Sequence, residues 1–441
     1  MCRTSQGCSH LAAGVGKQPA IYSHAYDSDR QDLRIARKLG VAGSLSEARV
    51  FTKKPRIAVV SRIYRPEPAA ASIFLGAVVD SLLSRGAAVD VYTAEPPGGS
   101  PALPAGAETV RSRPVLRDKT GYVRGYAGYM SFDIPLFFRL LFGPKPDAVL
   151  VEPPPTTGAA VRAVCALRRV PYVYDAADIW SDAAQLEPVP GLVVRALRAV
   201  EAFALRGATH TVTVSNGVVE RVRGLGVKRP VTVTGFGADS TQFPYAEAEP
   251  ERLFVYAGSY SPYHGAVLLV DGFAKFLSER PGYTLRFIGN GADRPAVEAR
   301  AEALGVTSSV ECLSPVPPEQ LLPHLAASVA SLASIRPGTV YEYSYASKAY
   351  SSLMAGCPVL FAGSGPTIDL IEGGIRDGVH AGRACAYDAD EMARAMRELA
   401  DERATTAERR ELAIWAAANH SLEVVADRVS QIVLETAAAS K

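Results

Sequence analysis

The chain has 441 residues, too many for one hydrophobic core and enough for two or three domains. Its 47 basic and 45 acidic residues almost cancel, at a net +2, which excludes the charged face of a nucleic-acid binder. Cys2, Cys8, Cys165, Cys312, Cys357 and Cys385 form no C-x-x-C pair and the histidines show no metal-ligand spacing, so neither a disulfide framework nor a protein-bound metal is indicated, and a reducing cytoplasm fits.

Residues 1–52 mix Gly, Ser, His and charge without an apolar signal core, and read as a poorly ordered leader or as a stretch ahead of the true start. Their excess of basic residues is too small to name a partner. From residue 56 strand and helix patterns alternate, which implies parallel strands with crossover helices. Strands are expected at 56–60, 88–93, 148–151, 172–175, 210–214 and 231–234. A helix at 71–84 carries an apolar stripe of Ile73, Leu75, Ala77, Val78, Leu82 and Leu83 and closes at Gly86, and a second lies at 193–205. Between them, 122–142 is aromatic and apolar around Arg124 and Arg139. It is too short and interrupted to span a bilayer, and reads either as a peripheral membrane contact or as a core helix with its leading loop.

The Gly-, Pro- and acid-rich run 235–250 breaks the alternation and reads as a linker. A second set follows, with strands at 253–257, 284–288, 310–313, 329–333 and 359–362 and helices at 265–277, 294–304, 318–326 and 347–354. Helices at 391–400, 407–418 and 422–435 close the chain. Two doubly wound α/β sheets of this kind hold ligands in crevices at the carboxyl ends of their strands.

The stretch SKAYSSLMAGCPVLFAGSGP, 347–366, carries the most chemistry. Ser347 is placed to cap a helix that Lys348 opens, Ala349, Leu353 and Met354 form its stripe, and Gly356 ends it. A buried strand follows at 358–361, and Gly363 and Gly365 let backbone amides face a ligand. A helix N-terminus with a lysine beside it favours anions. Read alone, the stretch has as its lesser alternative an ordinary helix-strand corner. Loops 258–265 and 289–291 offer further close approach through Gly258, Gly289 and Gly291, though glycine after a strand is also common turn chemistry.

Ser347, Lys348, Ala355, Gly356, Pro358 and Val359 stand in the register of a donor-site segment of glycosyltransferase family 4. The segments at 57–93, 172–184 (YVYDAADIWSDAA) and 254–265 (FVYAGSYSPYHG) are similar to that family in the same order, so the resemblance runs from about residue 56 to the end. It implies the GT-B architecture of two Rossmann-like domains facing a cleft: an acceptor domain at 53–235, a donor domain at 251–410, and terminal helices, about 411–441, crossing back to the first. It also implies a cytoplasmic enzyme that moves a sugar, with retention and without a metal or other cofactor, from a nucleotide-diphosphate sugar to a hydroxyl of a carbohydrate, lipid-linked or secondary-metabolite acceptor. The departing diphosphate can itself take the acceptor's proton.

On this resemblance Lys348, with Ser347, supports the diphosphate. Ser259 and His264 stand where the family carries an Arg and a Lys, and Tyr343 and Ser351 where it carries a Glu-x7-Glu pair. Ser351 is then expected to bond a ribose hydroxyl, Glu342 to take sugar hydroxyls, and Arg336 to replace a lost cation. A histidine beside a diphosphate would have its charged form favoured, so His264 is expected to titrate high, unless it only caps the following helix. Acceptor-side candidates are Arg62, Tyr64, Pro66 and Glu67 after the first strand, and Asp178, Trp180 and Asp182. Asp178 would orient or deprotonate the acceptor hydroxyl; equally, it would cap a short helix with Trp180 in the core. Two other classes stay open: a nucleotide-sugar epimerase of the same architecture, and a non-catalytic nucleotide-sugar binder.

Overall fold

The computed structural model describes residues 54–439 apart from 68, 98–107, 119–122, 124, 187–188, 250 and 340. The expected leader, 1–52, lies outside the described residues, as does the start of the aromatic segment at Tyr122.

The first lobe runs β1 (Arg56–Val60), α1 (Ala70–Ser84), β2 (Ala88–Ala94), β3 (Thr109–Arg113), α2 (Gly125–Phe142), β4 (Ala148–Val151) and α3 (Pro155–Arg168). It continues through β5 (Tyr172–Ala176), α4 (Trp180–Ala183), α5 (Gly191–Gly207), β6 (His210–Thr213), α6 (Asn216–Gly224) and β7 (Val231–Val233). Its strands form one parallel sheet in the order β3-β2-β1-β4-β5-β6-β7. The pleat explains why β1 reads as an unbroken apolar run. Ala58 and Val60 join a core with Phe132, Leu136, Val161 and Leu205, while Ile57 and Val59 point into another with Leu75, Val78 and Val79 of α1.

The second lobe runs β8 (Leu253–Ala257), α7 (Val267–Glu279), β9 (Thr284–Ile288), α8 (Arg294–Ala303), β10 (Val310–Leu313), α9 (Pro318–Ala327) and β11 (Ala330–Ile335). Then come α10 (Ser347–Met354), β12 (Val359–Gly363), α11 (Pro366–Arg376), β13 (Gly382–Cys385), α12 (Ala389–Asp401), α13 (Thr406–His420) and α14 (Leu422–Ala438). Its parallel sheet has the order β10-β9-β8-β11-β12-β13 and shares no strand with the first. In both sheets the order reverses beside the first strand of the lobe, at β1/β4 and at β8/β11, and crevices open at such reversals.

The edge strands β3 and β13 and helix α11 go beyond the sequence reading. TVRSR and GRAC carry no alternation of their own and owe their extended form to the neighbouring strand. The tail also divides more sharply than expected. Helix α13 packs on α10, and Trp415 donates from Nε1 to Asp377 Oδ2 at 2.8 Å, so Trp415 belongs to the second lobe. Ser421 turns the chain and caps the next helix by accepting from the Val424 amide at 3.2 Å. Helix α14 alone crosses over. It lays Ala426, Val429 and Val433 against α1 and the first sheet, bonds Ser430 to the Val78 carbonyl at 3.1 Å, and ties Asp427 to Arg85 at 2.6 Å.

Candidate active site

In the second lobe the carboxyl ends of β9, β8, β11 and β12 lie side by side, and three of them end in glycine. Gly289, Gly258 and Gly363 have φ of 152°, 145° and 142°, a region that L side chains rarely enter. A Cβ on Gly289 would lie 1.9 Å from the Gly258 carbonyl oxygen, and one on Gly363 2.2 Å from that of Ile335. Gly291 (φ 159°) and Gly365 (φ 102°) are equally tight, against Tyr260 and against the Glu342 carbonyl. These strand ends are therefore bare backbone.

One cation enters this bare corner. A Cβ on Gly258 would stand 2.9 Å from Cε of Lys348, whose ammonium lies 4.9 Å from the Tyr256 ring centre. Among the described residues it has no carboxylate partner, only His264 Nε2 at 3.5 Å. Water touches the side chain, yet protein crowds it enough to push its pKa down to about 8. His264 is buried; its Nδ1 faces the Ser259 carbonyl at 3.1 Å, which the Tyr256 hydroxyl also reaches at 2.6 Å. That arrangement assigns the proton to Nδ1 and leaves Nε2 to accept from Lys348. In the protein alone the direction is opposite to the one expected beside a diphosphate: burial, and then the neighbouring ammonium, push the His264 pKa down to about 4. Nor does it cap a helix, since α7 starts at Val267 with Ala266 at its cap position.

Other donor-side residues fall differently. Ser347 is the exposed first residue of α10; the cap position is Ala346, with no side-chain bond to the helix. Ser351 sits one turn on, partly buried. Arg336 leads an exposed loop at the end of β11, its amide held by the Tyr263 carbonyl at 2.7 Å. Glu342 accepts from the Gly338 amide, and from Ser364 Oγ at 3.3 Å, so it braces that loop against the β12 exit. Tyr343 is not a donor-side side chain. It is buried in the first lobe's core, its carbonyl accepts from Ser215 Oγ at 2.9 Å, its Cβ packs against Gly217, and its ring lies under Arg221.

In the first lobe, Arg62 and Glu152 follow β1 and β4 and so flank the reversal of strand order. Ser61 Oγ donates to Glu152 Oε2 at 2.6 Å, and burial pushes Glu152 up to about 7. The Arg62 guanidinium carbon lies 4.2 Å from the Tyr129 ring centre and 5.9 Å from that of Trp180. Asp178 is open to water, but the walls around it raise its pKa, and Tyr263 and Tyr343 of the second lobe feel its charge. It caps nothing: α4 has Ile179 at its cap position. Tyr64 is a core residue, 2% exposed, rather than a crevice residue. Glu67 pairs with Arg117 at 3.3 Å, and Pro66 sits beside it in the same loop. Buried Asp182 lies between Arg198 and Arg221 at 3.6 and 3.7 Å. Glu152, Tyr129 and Asp133 escaped the sequence reading, although the first immediately follows a strand predicted there.

The chain matches the family model for the glycosyl transferase 4-like domain over residues 71–237 and the model for glycosyl transferases group 1 over 251–402. No curated protein matches it. Among solved structures it resembles sucrose-phosphate synthase from Thermosynechococcus elongatus, with TM-score 0.64 and 16% identity over 88% of this chain and 100% of that one. Anabaena HepE in complex with UDP gives TM-score 0.62 and 13% identity over 87% and 100% of the two chains. WaaG, a glycosyltransferase involved in lipopolysaccharide biosynthesis, gives 0.59 and 17% over 86% and 99%. At such identities these neighbours speak for the fold, which is GT-B. The two family matches, one on each lobe and in the order that the sequence motifs predict, identify the chain as a glycosyltransferase of the family 4-like, group 1 type.

Proposed function

We propose that the chain transfers a sugar from a nucleotide-diphosphate sugar to an acceptor hydroxyl, with retention and without a metal. The observation that carries this reading is the crowded ammonium of Lys348, without a carboxylate partner among the described residues, beside the glycines at the strand ends of the second lobe. A diphosphate supplies the countercharge that the protein withholds, and the same ammonium meets the negative charge that grows on the leaving group. His264 holds Lys348 in place as a neutral acceptor, and Glu342 offers a carboxylate to sugar hydroxyls from the loop beside it. Asp178 faces the same space from the first lobe and is the residue to orient an acceptor hydroxyl. HepE, a structural neighbour, is described in complex with UDP-glucose, which supports a nucleotide sugar as donor.

The acceptor class is a carbohydrate, a lipid-linked sugar or a secondary metabolite, and the setting the cytoplasm. A lipid-linked acceptor is favoured by α2, which buries Phe132, Leu136 and Leu140 while exposing Tyr126, Ile134, Phe138 and Phe142. Among the described residues no helix is long and apolar enough to cross a membrane. We assign the exposed side of α2 to peripheral contact at the inner membrane face.

The test is a donor panel with purified protein, following nucleotide release with and without acceptor mixtures. Acceptor-dependent release, with the anomeric configuration kept in the product, is expected. Epimerised nucleotide sugar without acceptor, or donor binding without turnover under any acceptor, would each replace this reading.

A further inference from the structure

Arg62 differs from other arginines of the first lobe in its pairing. Arg65, Arg117, Arg198 and Arg221 of this lobe each have a carboxylate within 4.0 Å. Arg62 is more deeply placed, at 6% exposure, and among the described residues it has none; its Nε and one terminal nitrogen lack any hydrogen-bond partner. Two carboxyls stand nearby and are otherwise engaged. Glu152 accepts from Ser61 at 2.6 Å, and Asp133 from Thr157 at 2.5 Å. Burial raises the pKa of both, which weakens the countercharge they offer the guanidinium.

An uncompensated buried cation is costly, and a guanidinium presents donors suited to carboxylate or phosphate oxygens. Arg62 stands beside the reversal of strand order where a ligand is expected, next to the rings of Tyr129 and Trp180, themselves edge to face at 6.2 Å. We propose that the first-lobe crevice takes an acceptor bearing an anionic group, a carboxylate or a phosphate ester, and that Arg62 binds that group. This rests on the sugar-transfer reading, for it names the class of acceptor that the site would receive.

The test is ligand-observed NMR on the full chain with three probes built on one ring: glucose, glucuronic acid and glucose 6-phosphate. At least one acidic probe is expected to bind about tenfold or more tightly than glucose, a difference within the reach of one charged contact. Which of the two binds separates carboxylate from phosphate. Arg62→Gln should abolish the preference, and Arg62→Lys, which keeps the charge, should retain part of it. Equal binding of all three probes, or a preference that survives in Arg62→Gln, overturns the proposal. Calorimetry with UDP on the same samples reports on the other lobe. Absence of UDP binding by the unaltered chain would count against sugar transfer while the acid preference stands or falls by itself. If Arg62→Gln fails to fold, the probe series on the unaltered chain and on Arg62→Lys still decides.

Discussion

The two crevices occupy the same place in two sheets of the same construction, yet they are furnished in opposite ways. In the second lobe the strand ends are glycine and the walls are backbone, with one ammonium reaching in. In the first the strand ends carry side chains: Ser61 and Arg62 after β1, Glu152 after β4 and Asp178 after β5. Bare amides and a fixed cation suit a ligand part that never changes, such as a diphosphate. Interlocked side chains suit a ligand that differs from one relative to the next, because each can be exchanged without moving the chain. The difference teaches that the second-lobe crevice is written in backbone conformation and the first-lobe crevice in side-chain chemistry.

The sharpest way to break this comparison is a matched pair of substitutions. Gly289→Ala puts a methyl group 1.9 Å from the Gly258 carbonyl at a φ of 152°, so the ends of β8 and β9 must part. A loss of about 3 kcal/mol or more in chemical denaturation is expected, with nucleotide binding lost as well. Glu152→Gln keeps shape and the bond from Ser61, and should cost no more than about 1 kcal/mol. Similar costs for the two would erase the distinction.

Next in size is Lys348→Ala, which should weaken nucleotide-diphosphate binding by about 1.5–3 kcal/mol, the scale of a hydrogen bond to a charged group. Unchanged affinity by calorimetry would remove the lysine from the site. A smaller and more specific effect lies in pH. The free ammonium titrates at about 8, and a bound anion would favour its charge and move that value up. Affinity should therefore be full below about pH 8 and fall about tenfold per unit as pH rises through it. His264 is already neutral above about 4, so His264→Gln should leave the profile flat through the neutral range. A step near pH 6.5 in the unaltered chain that His264→Gln removes would restore the histidine as a cation.

The smallest effect concerns the joint between the lobes. Ser215 caps α6 by accepting from Val218 at 3.3 Å and donates to the Tyr343 carbonyl at 2.9 Å. Ser215→Ala should lower stability by about 1 kcal/mol. If it also separates thermal unfolding into two transitions, the bond couples the lobes; a single shifted transition would show that it serves only the helix.

Much of this was legible in the sequence because parallel strands buried on both faces leave continuous apolar runs. The segments around Val59, Leu150, Val255 and Leu360 were placed within a residue or two, and so was the break between the lobes. The glycines of the donor corner were legible for the same local reason: few other residues tolerate those angles. What remained hidden depends on contacts far apart in the chain. The resemblance placed His264 and Lys348, 84 residues apart, at one site, but not the burial and the neighbouring ammonium that together lower the histidine's pKa. Tyr343 lies in a family motif register, yet its side chain is claimed by Gly217, at Cβ, and by Arg221, over the ring, of the other lobe. Arg62 was legible as a position but not as an orphan, since the absence of a partner is a property of the folded neighbourhood.

The crossing of α14 has a consequence for how the protein is made. The first lobe leaves the ribosome first but receives Ala426, Val429 and Val433, which seal its sheet beside α1, only after the whole second lobe has followed. Until then Val78, Val79 and Leu82 lack the helix that covers them. The nascent first lobe therefore waits with an open apolar seam while the second lobe, whose strands and covering helices end by His420, closes on its own. Emergence of α14, rather than of residue 234, is the moment at which the first lobe is complete.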